Sequence, residues 1–257
     1  MSGVRYERDG RVAVITYDRP EALNAIDAGM RTEINAAFAR FRDDTDAWVG
    51  IVTGAGRAFC AGADLADPGA AAGSFPGTFW ERPTVNSFES GWEIFKPVIA
   101  AVNGHCLGYG LTLATWCDFV VAADDAQFGF PEVRVGLPTI VGALRLPERI
   151  GWGHAMELLL TGERIDARRA EQIGLAHMVV PAGELMVEAR RLADRLLAAA
   201  PLAARATKEM AVRGRTLSTT EAIRFGETMR KVVAATEDAA EGLAAARERR
   251  TPRWQGR

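Results

Sequence analysis

Lysine is scarce in this chain. Of 257 residues only Lys96, Lys208 and Lys231 are lysine, although lysine and arginine together number 31, against 33 aspartates and glutamates. The positive charge is therefore almost all arginine, and the formal net charge is −2. A surface so balanced has no basic excess with which to grip a nucleic acid. Cysteine is scarce too. Cys60, Cys106 and Cys117 are odd in number in a chain too long to need a disulfide framework, which points to a reducing cytoplasm. The histidines, His105, His154 and His177, are scattered, and no CxxC or HxxxH spacing occurs, so no metal site is expected. No apolar run approaches the ~20 residues needed to span a bilayer. The opening "MSGVRYERDGRVAVITYDRP" lacks the basic segment and apolar core of a secretory signal. The G-K-[ST] ending of a phosphate loop is missing, and so is the G-x-S-x-G of a serine hydrolase.

What is present is an ordinary globular balance, 48% hydrophobic and 25% charged, in a chain long enough for one large domain or a domain with an appendage. "RVAVITY", Arg11 to Tyr17, alternates like a strand, and Asp9-Gly10 before it signals a hairpin. From Asp27 to about Asp44, Met30, Ile34, Ala37, Phe38 and Phe41 recur at helical spacing, with Asp27 as N-cap. Buried strands are predicted over residues 48–53, 97–102 and 119–123. Residues 66–85, rich in Gly, Ala and Pro, read as a mobile loop framing a pocket, followed by a helix ending at Phe95. "AQFGFPEVRVGLP" and "GALRLPERIGW" read as loops and short elements. Helices are predicted near 154–160, 167–173 and 182–200. Another restarts at Pro201, and a last one runs over 220–249. Strands interleaved with helices, then a helical tail, mean an α/β class.

Two glycine turns stand out: Gly54 to Leu65, "GAGRAFCAGADL", and Gly104 to Thr112, which opens the helix of "GYGLTLATWCD". Each follows a buried strand. A helix N-terminus offers N–H groups and partial positive charge, which suit an anion or a developing oxyanion. A dinucleotide fold is the rival reading, but "GYGLTL" has Leu113 where the third glycine belongs, and no acidic residue closes a following strand. Either turn alone can be no more than a tight bend. Moreover, no carboxylate, histidine or lysine lies between Gly108 and Asp118, so a proton carrier must come from elsewhere.

Six segments change the balance: "DRPEALNAID", "GAGRAFCAGADL", "KPVIAAVNGHCLGYG", "CDFVVAADDAQFGFPEVRVGL", "AMELLLTGERIDARRAEQIGLAHMVV" and "ATEDAAEGLAAARERRTPRW". In this order, almost end to end, the chain resembles the enoyl-CoA hydratase/isomerase (crotonase) family. The resemblance implies a spiral of ββα units over residues 1–200 that binds acyl-CoA. It also implies a helical C-terminal region, 201–257, that builds a homotrimer or homohexamer. Such proteins hold an enolate in an oxyanion hole of two backbone N–H groups. Carried over, the first is that of Ala61 in "CAGAD" and the second that of Tyr109, where the family most often has glycine. A tyrosine keeps the donor if its φ is negative, and its ring is expected to narrow the acyl pocket. Ala22 and Leu23 are expected against the coenzyme A moiety, and Ala63, Asp64 and Leu65 along the adenine and pantetheine path. Gly108 and Thr112 complete the substrate-binding set. Asp64 equally suits a helix cap.

The family's hydratases use two glutamates. Here the first position is Thr112 and the second is Glu132, in "FGFPE". A threonine is no base near neutral pH, whereas one glutamate can still move a proton between two carbons. The residues therefore favour isomerisation of 3-enoyl to 2-enoyl thioesters with Glu132 as the single acid/base. Hydration of 2-enoyl-CoA in fatty-acid or related acyl-CoA catabolism is the alternative, and a non-catalytic acyl-CoA binding protein is the alternative of another class. Glu132 could instead pair with Arg134, and Glu89, Glu93 and Asp118 are the other acids to weigh, Asp118 as a structural acceptor. In "GLPTIVGAL" Thr139 lies where some isomerases carry an extra acid, so the acyl pocket is expected to be reshaped. Coenzyme A enters with the substrate, and no separate cofactor, nucleic acid or membrane is expected.

Overall fold

The computed structural model describes residues 3–67, 87–88 and 93–257. The apolar runs are strands. β1 (Val4–Asp9) and β2 (Val12–Tyr17) form the hairpin signalled by Asp9-Gly10. β3 (Val49–Gly54), β5 (Val98–Val102), β7 (Phe119–Ala123) and β10 (Met178–Val180) then add in parallel, in the order β1-β2-β3-β5-β7-β10. A second sheet is made of much shorter strands, β4 (Ala58–Cys60), β6 (His105–Leu107) and β8 (Gln127–Gly129), closed by the antiparallel β9 (Arg164–Asp166).

The two sheets are linked by a repeated step. β3, β5 and β7 each leave the first sheet, turn, and enter the second as β4, β6 and β8. After β6 comes helix α2 (Tyr109–Trp116), and after β8 comes α3 (Val141–Ile150). This is the expected spiral of ββα units. Its corners are tight: a Cβ on Gly54 would lie 2.2 Å from the Ala58 carbonyl oxygen, and one on Gly104 2.2 Å from that of Arg57. Only glycine permits such approach.

The inner strands β2, β3, β5 and β7 of the six-stranded sheet are buried on both faces, which is why they read as largely apolar runs. Val12, Val14, Val49, Ile51, Ile99, Ala101, Val121 and Ala123 face helix α6 (Leu185–Leu197) through Leu185, Ala189, Leu192 and Ala193. The alternate residues, among them Ala13, Ile15, Tyr17, Val52, Ala100, Val102 and Val120, join the larger core with Met30, Ile34, Phe38 and Phe41 of α1 (Ala28–Asp43). Asp27 caps α1 as expected, accepting the Met30 N–H at 2.7 Å. All three cysteines are free and buried. Cys60 and Cys106 sit opposite one another on β4 and β6, and burial pushes the Cys60 thiol up to about 12.

Helix α2 is held at both ends. A Cβ on Gly110 would meet the Cys60 carbonyl oxygen at 2.5 Å, so its first turn rests on β4. At the other end Arg149 of α3 donates to the carbonyls of Thr115 (3.0 Å), Cys117 (2.6 Å) and Asp118 (3.2 Å), a cation placed where the helix dipole favours one. Two of the rare lysines are structural as well. Buried Lys96 caps α1, donating to the Phe41 carbonyl at 2.7 Å, and Lys208 donates to Asp118 at 2.7 Å.

Several expectations need correction. "GALRLPERIGW" is not loop but largely α3, with Pro147 inside the helix. Proline removes only one ladder bond there, while Gly142, Leu146 and Ile150 bury one helical face. The last helix is two, α8 (Thr219–Ala234) and α9 (Glu237–Glu248), divided where the Thr236 side chain caps α9 by accepting the Ala239 N–H. The loop expected over 66–85 lies almost wholly outside the described residues, as do residues 89–92 of the helix expected to end at Phe95; residues 93–95 are not helical. The remaining helices, α4 (Trp152–Thr161), α5 (Ala167–Gln172) and α7 (Pro201–Arg213), fall where spacing predicts them. Among the described residues no helix is long and apolar enough to cross a membrane.

Candidate active site

The site is assembled from three loops, and the first is a fully bonded scaffold. Asn24 is completely buried with a left-handed φ of 56°, and its amide donates to the carbonyls of Ala58 (2.7 Å) and Ala55 (3.0 Å). Its oxygen accepts the Arg19 N–H at 2.8 Å. Arg19 in turn bridges Asp27 (2.6 Å) and Asp64 (3.4 Å). The segment carrying Ala22 and Leu23 is thereby fixed against the turn that follows β3. Asp64 also accepts the Ala66 N–H, so its carboxylate serves the scaffold, while Leu65 beyond it is exposed.

The second loop overturns one expectation. The Ala61 N–H, expected to line the oxyanion hole, donates to the Leu23 carbonyl at 3.0 Å and is committed to the scaffold. The chain then continues as a short parallel bridge: Ile26 donates to the Gly62 carbonyl and accepts the Asp64 N–H, each at 2.9 Å. Bonds to the residues flanking Ala63 leave the N–H of Ala63 itself pointing away from Ile26. Gly62, with φ 113°, lies against the start of α2; a Cβ there would be 3.3 Å from the Leu107 carbonyl oxygen and 3.8 Å from the Tyr109 nitrogen.

The third loop opens α2. Gly108 has φ 53° and ψ −121°, a region that is essentially glycine's alone. Tyr109 is the first helical residue, so its N–H belongs to the set that a helix cannot bond internally. Among the described residues positive φ outside glycine occurs at Leu23, Asn24 and Arg249, not at Tyr109, so the tyrosine keeps the donor direction a glycine would give. Its ring is half-buried against the main core, with the Arg31 guanidinium of α1 4.9 Å from the ring centroid. Arg31 carried no signal in the sequence, because an arginine at that spacing looks like any solvated helix residue. Thr112, one turn on, is buried.

Glu132 arrives from the short 3-10 turn Pro131–Val135 after β8. The fit against α2 is close: a Cβ at position 108 would lie 3.1 Å from Glu132 Oε1. Glycine is thus required at 108 twice, by its dihedrals and by the carboxylate. Glu132 is half-buried and forms no ion pair among the described residues; Arg134 reaches Glu163 (3.4 Å) and the Thr161 carbonyl instead. Desolvation raises the Glu132 pKa, opposed in part by its own backbone N–H and by the nearby Thr139 hydroxyl. Beyond that mutual contact, Glu132 Oε2 and Thr139 Oγ1 are buried with no hydrogen-bond partner among the described residues.

The competing acids are occupied elsewhere. Asp118 accepts the Val98 N–H (2.8 Å) and the Lys208 ammonium, the structural part expected of it. Glu93 pairs with Arg213 at 2.6 Å, and Glu89 lies outside the described residues. What remains is one desolvated carboxylate, its pKa raised by burial, beside amides at a helix N-terminus. Such a group can take a proton near an oxygen that gains negative charge.

Comparison with known proteins identifies the family. The family model for enoyl-CoA hydratase/isomerase matches residues 7–257. A probable enoyl-CoA hydratase of Mycobacterium bovis is 40% identical over 256 residues, covering 98% of this chain and 97% of that protein. Carnitinyl-CoA dehydratase of Proteus mirabilis is 42% identical over 257 residues, 96% of each. The crystal structure of an enoyl-CoA hydratase from Mycobacterium tuberculosis, 37% identical, superposes with a TM-score of 0.91 over 100% of both chains. The chain belongs to the enoyl-CoA hydratase/isomerase family.

Proposed function

We propose that this protein adds water reversibly across the C2–C3 double bond of a 2-enoyl-CoA thioester, with Glu132 as its single acid/base. The observation that carries this reading is the desolvated Glu132 carboxylate pressed against Gly108, beside the Tyr109 amide at the start of α2. Relatives named as a hydratase and a dehydratase support water as the reactant. The amide pair for the thioester oxygen is Ala63 and Tyr109 rather than Ala61 and Tyr109, because the Ala61 N–H is already engaged. Ala22, Leu23 and Leu65 border the coenzyme A path, and Asp64 holds that border in place. Coenzyme A enters with the substrate and no further cofactor takes part.

Isomerisation of 3-enoyl to 2-enoyl thioesters is the second reading. It is favoured by one observation, that a buried Thr112 stands where a second carboxylate would. A paired assay separates the two. A 2-enoyl-CoA is followed for loss of conjugation and a 3-enoyl-CoA for its appearance, each with wild type and Glu132→Gln. We expect hydration by the wild type and a loss of ~10²–10⁴-fold in the variant, the usual contribution of a positioned acid or base. Hydration that survives in Glu132→Gln overturns the role of Glu132, and isomerisation without hydration overturns the choice of reaction.

We also propose that residues 1–200 are the acyl-CoA unit and that 201–257 build a homotrimer or homohexamer. The support is α8, which buries none of its 16 residues yet carries Ile223 and Val232, each more than 60% exposed. Buried free thiols suit a reducing compartment, which we take to be the cytoplasm.

A further inference from the structure

We propose that Thr139 is the second polar group of the hydration site: its hydroxyl and the Glu132 carboxylate together hold the water that adds to the acyl chain. This rests on the hydration reading above and supplies what that reading lacks, a partner for Glu132 in place of the carboxylate missing at position 112.

The geometry is local and specific. After the turn Pro131–Val135, Gly136 adopts φ 78° and the Leu137 N–H bonds back to the Glu132 carbonyl at 3.0 Å. The chain so reversed brings Thr139 beside the Glu132 carboxyl. The Thr139 methyl is pinned at the start of α3: a Cβ on Gly142 would lie 2.8 Å from Thr139 Cγ2 and 2.4 Å from Phe130 Cε1. Packing of the methyl fixes the rotamer and with it the direction of the hydroxyl. The Thr139 hydroxyl bears on the Glu132 carboxyl and favours its ionised form; beyond that contact neither Glu132 Oε2 nor Thr139 Oγ1 has a hydrogen-bond partner among the described residues, although both atoms are buried. Buried polar atoms are seldom left so. An ionised carboxylate only accepts, and a hydroxyl both donates and accepts, so a water between them donates to Glu132 while its oxygen accepts from Thr139. Buried waters are held by two to four such bonds.

The step balances. As the water oxygen bonds to C3, Glu132 takes one of its protons, and the C2–C3 electron pair moves onto the thioester oxygen as an enolate. Glu132 then returns that proton to C2, the second water proton stays on the new hydroxyl, and Thr139 is unchanged.

The test compares Thr139→Val, Thr139→Ser, Glu132→Gln and the wild type on a short 2-enoyl-CoA, over a range of pH. We expect Thr139→Val, which keeps the shape, to lower kcat about 10²-fold with little change in KM, and Thr139→Ser to recover most of the loss. The acid limb of the Thr139→Val profile should move to higher pH, because the hydroxyl that favours ionised Glu132 is gone. Thr139→Val at the wild-type rate, with Glu132→Gln inactive, overturns the role of Thr139 and leaves the hydration reading intact. That role is equally overturned if Thr139→Ser fails to recover activity, or if Thr139→Val raises KM without lowering kcat. A wild type that does not hydrate, or a Glu132→Gln that does, overturns both.

Discussion

The loop around Asn24 and the loop around Glu132 lie on two sides of one site and are built on opposite terms. In the first, a wholly buried asparagine makes three hydrogen bonds, and Arg19 answers two aspartates. In the second, a carboxylate oxygen and a hydroxyl are buried with no partner among the described residues beyond their mutual contact. Satisfied polar groups specify a backbone, whereas unsatisfied ones raise its energy and are retained where chemistry needs them. The scaffold loop and the reacting loop thus differ in hydrogen bonding, although the buried Tyr17 hydroxyl, His105 Nδ1 and Trp116 Nε1, outside both loops, also lack partners among the described residues.

Three substitutions press on that contrast. The largest effect is expected from Gly108→Ala, which forces a side chain into a glycine-only conformation and toward Glu132 Oε1. Displacing a reacting group by an ångström can cost ~10² in rate. We expect kcat to fall at least that far, with unfolding eased by about 1–3 kcal/mol; near-wild-type kcat would show that Gly108 does not set the position of Glu132. Next comes Asn24→Ala, which takes the donor from the Ala55 carbonyl and the acceptor from the Arg19 N–H, leaves the Ala58 carbonyl to the weaker Asn103 bond at 3.3 Å, and puts alanine at positive φ. Chemical denaturation should report a loss of about 2–4 kcal/mol, while kcat per folded molecule changes far less than for Gly108→Ala. A collapse of kcat without loss of stability would erase the contrast between the loops.

The smallest effect is the stability of Glu132→Gln. Burial raises the pKa of Glu132 above its unfolded value. The folded protein therefore holds this proton to higher pH, and the carboxyl's contribution, full in acid, is lost as pH rises through the folded pKa. Glutamine does not titrate, so the melting temperature of the variant should gain on the wild type as pH climbs out of the carboxylate range toward neutrality. An identical difference in Tm at every pH would mean that the Glu132 carboxyl is not strained by its surroundings.

Sequence alone carried the fold well where elements are long. The spacing of Met30, Ile34, Phe38 and Phe41 marked α1, and the apolar runs of β2, β3, β5 and β7 marked the large sheet. It could not carry β4, β6 and β8, three residues each, too short for any periodicity to show. Pro147 hid α3, since its cost is local and the buried face of Leu146 and Ile150 outweighs it. At the candidate site Glu132, Gly108 and Thr112 were pointed out by the family resemblance, whose motifs show in their side chains, or the lack of one. The engagement of Ala61 was not legible. Which way a backbone N–H points depends on its neighbours in the bridge with Ile26, and a run of small residues such as "CAGAD" looks the same in either case. Thr139 was visible only as a departure from a pattern; its closeness to Glu132 depends on the reversal at Gly136.

The paired positions of Cys60 and Cys106 have a use outside chemistry. Their thiols sit on adjacent strands of the small sheet, wholly sealed from solvent and held protonated by burial. A reagent that modifies thiols can reach them only when β4 and β6 become exposed, directly beneath the first turn of α2. The rate of labelling at Cys60 and Cys106, told apart from that at the third buried thiol, Cys117, is thus a clock for opening of the ground on which the Tyr109 amide stands, read without changing the sequence.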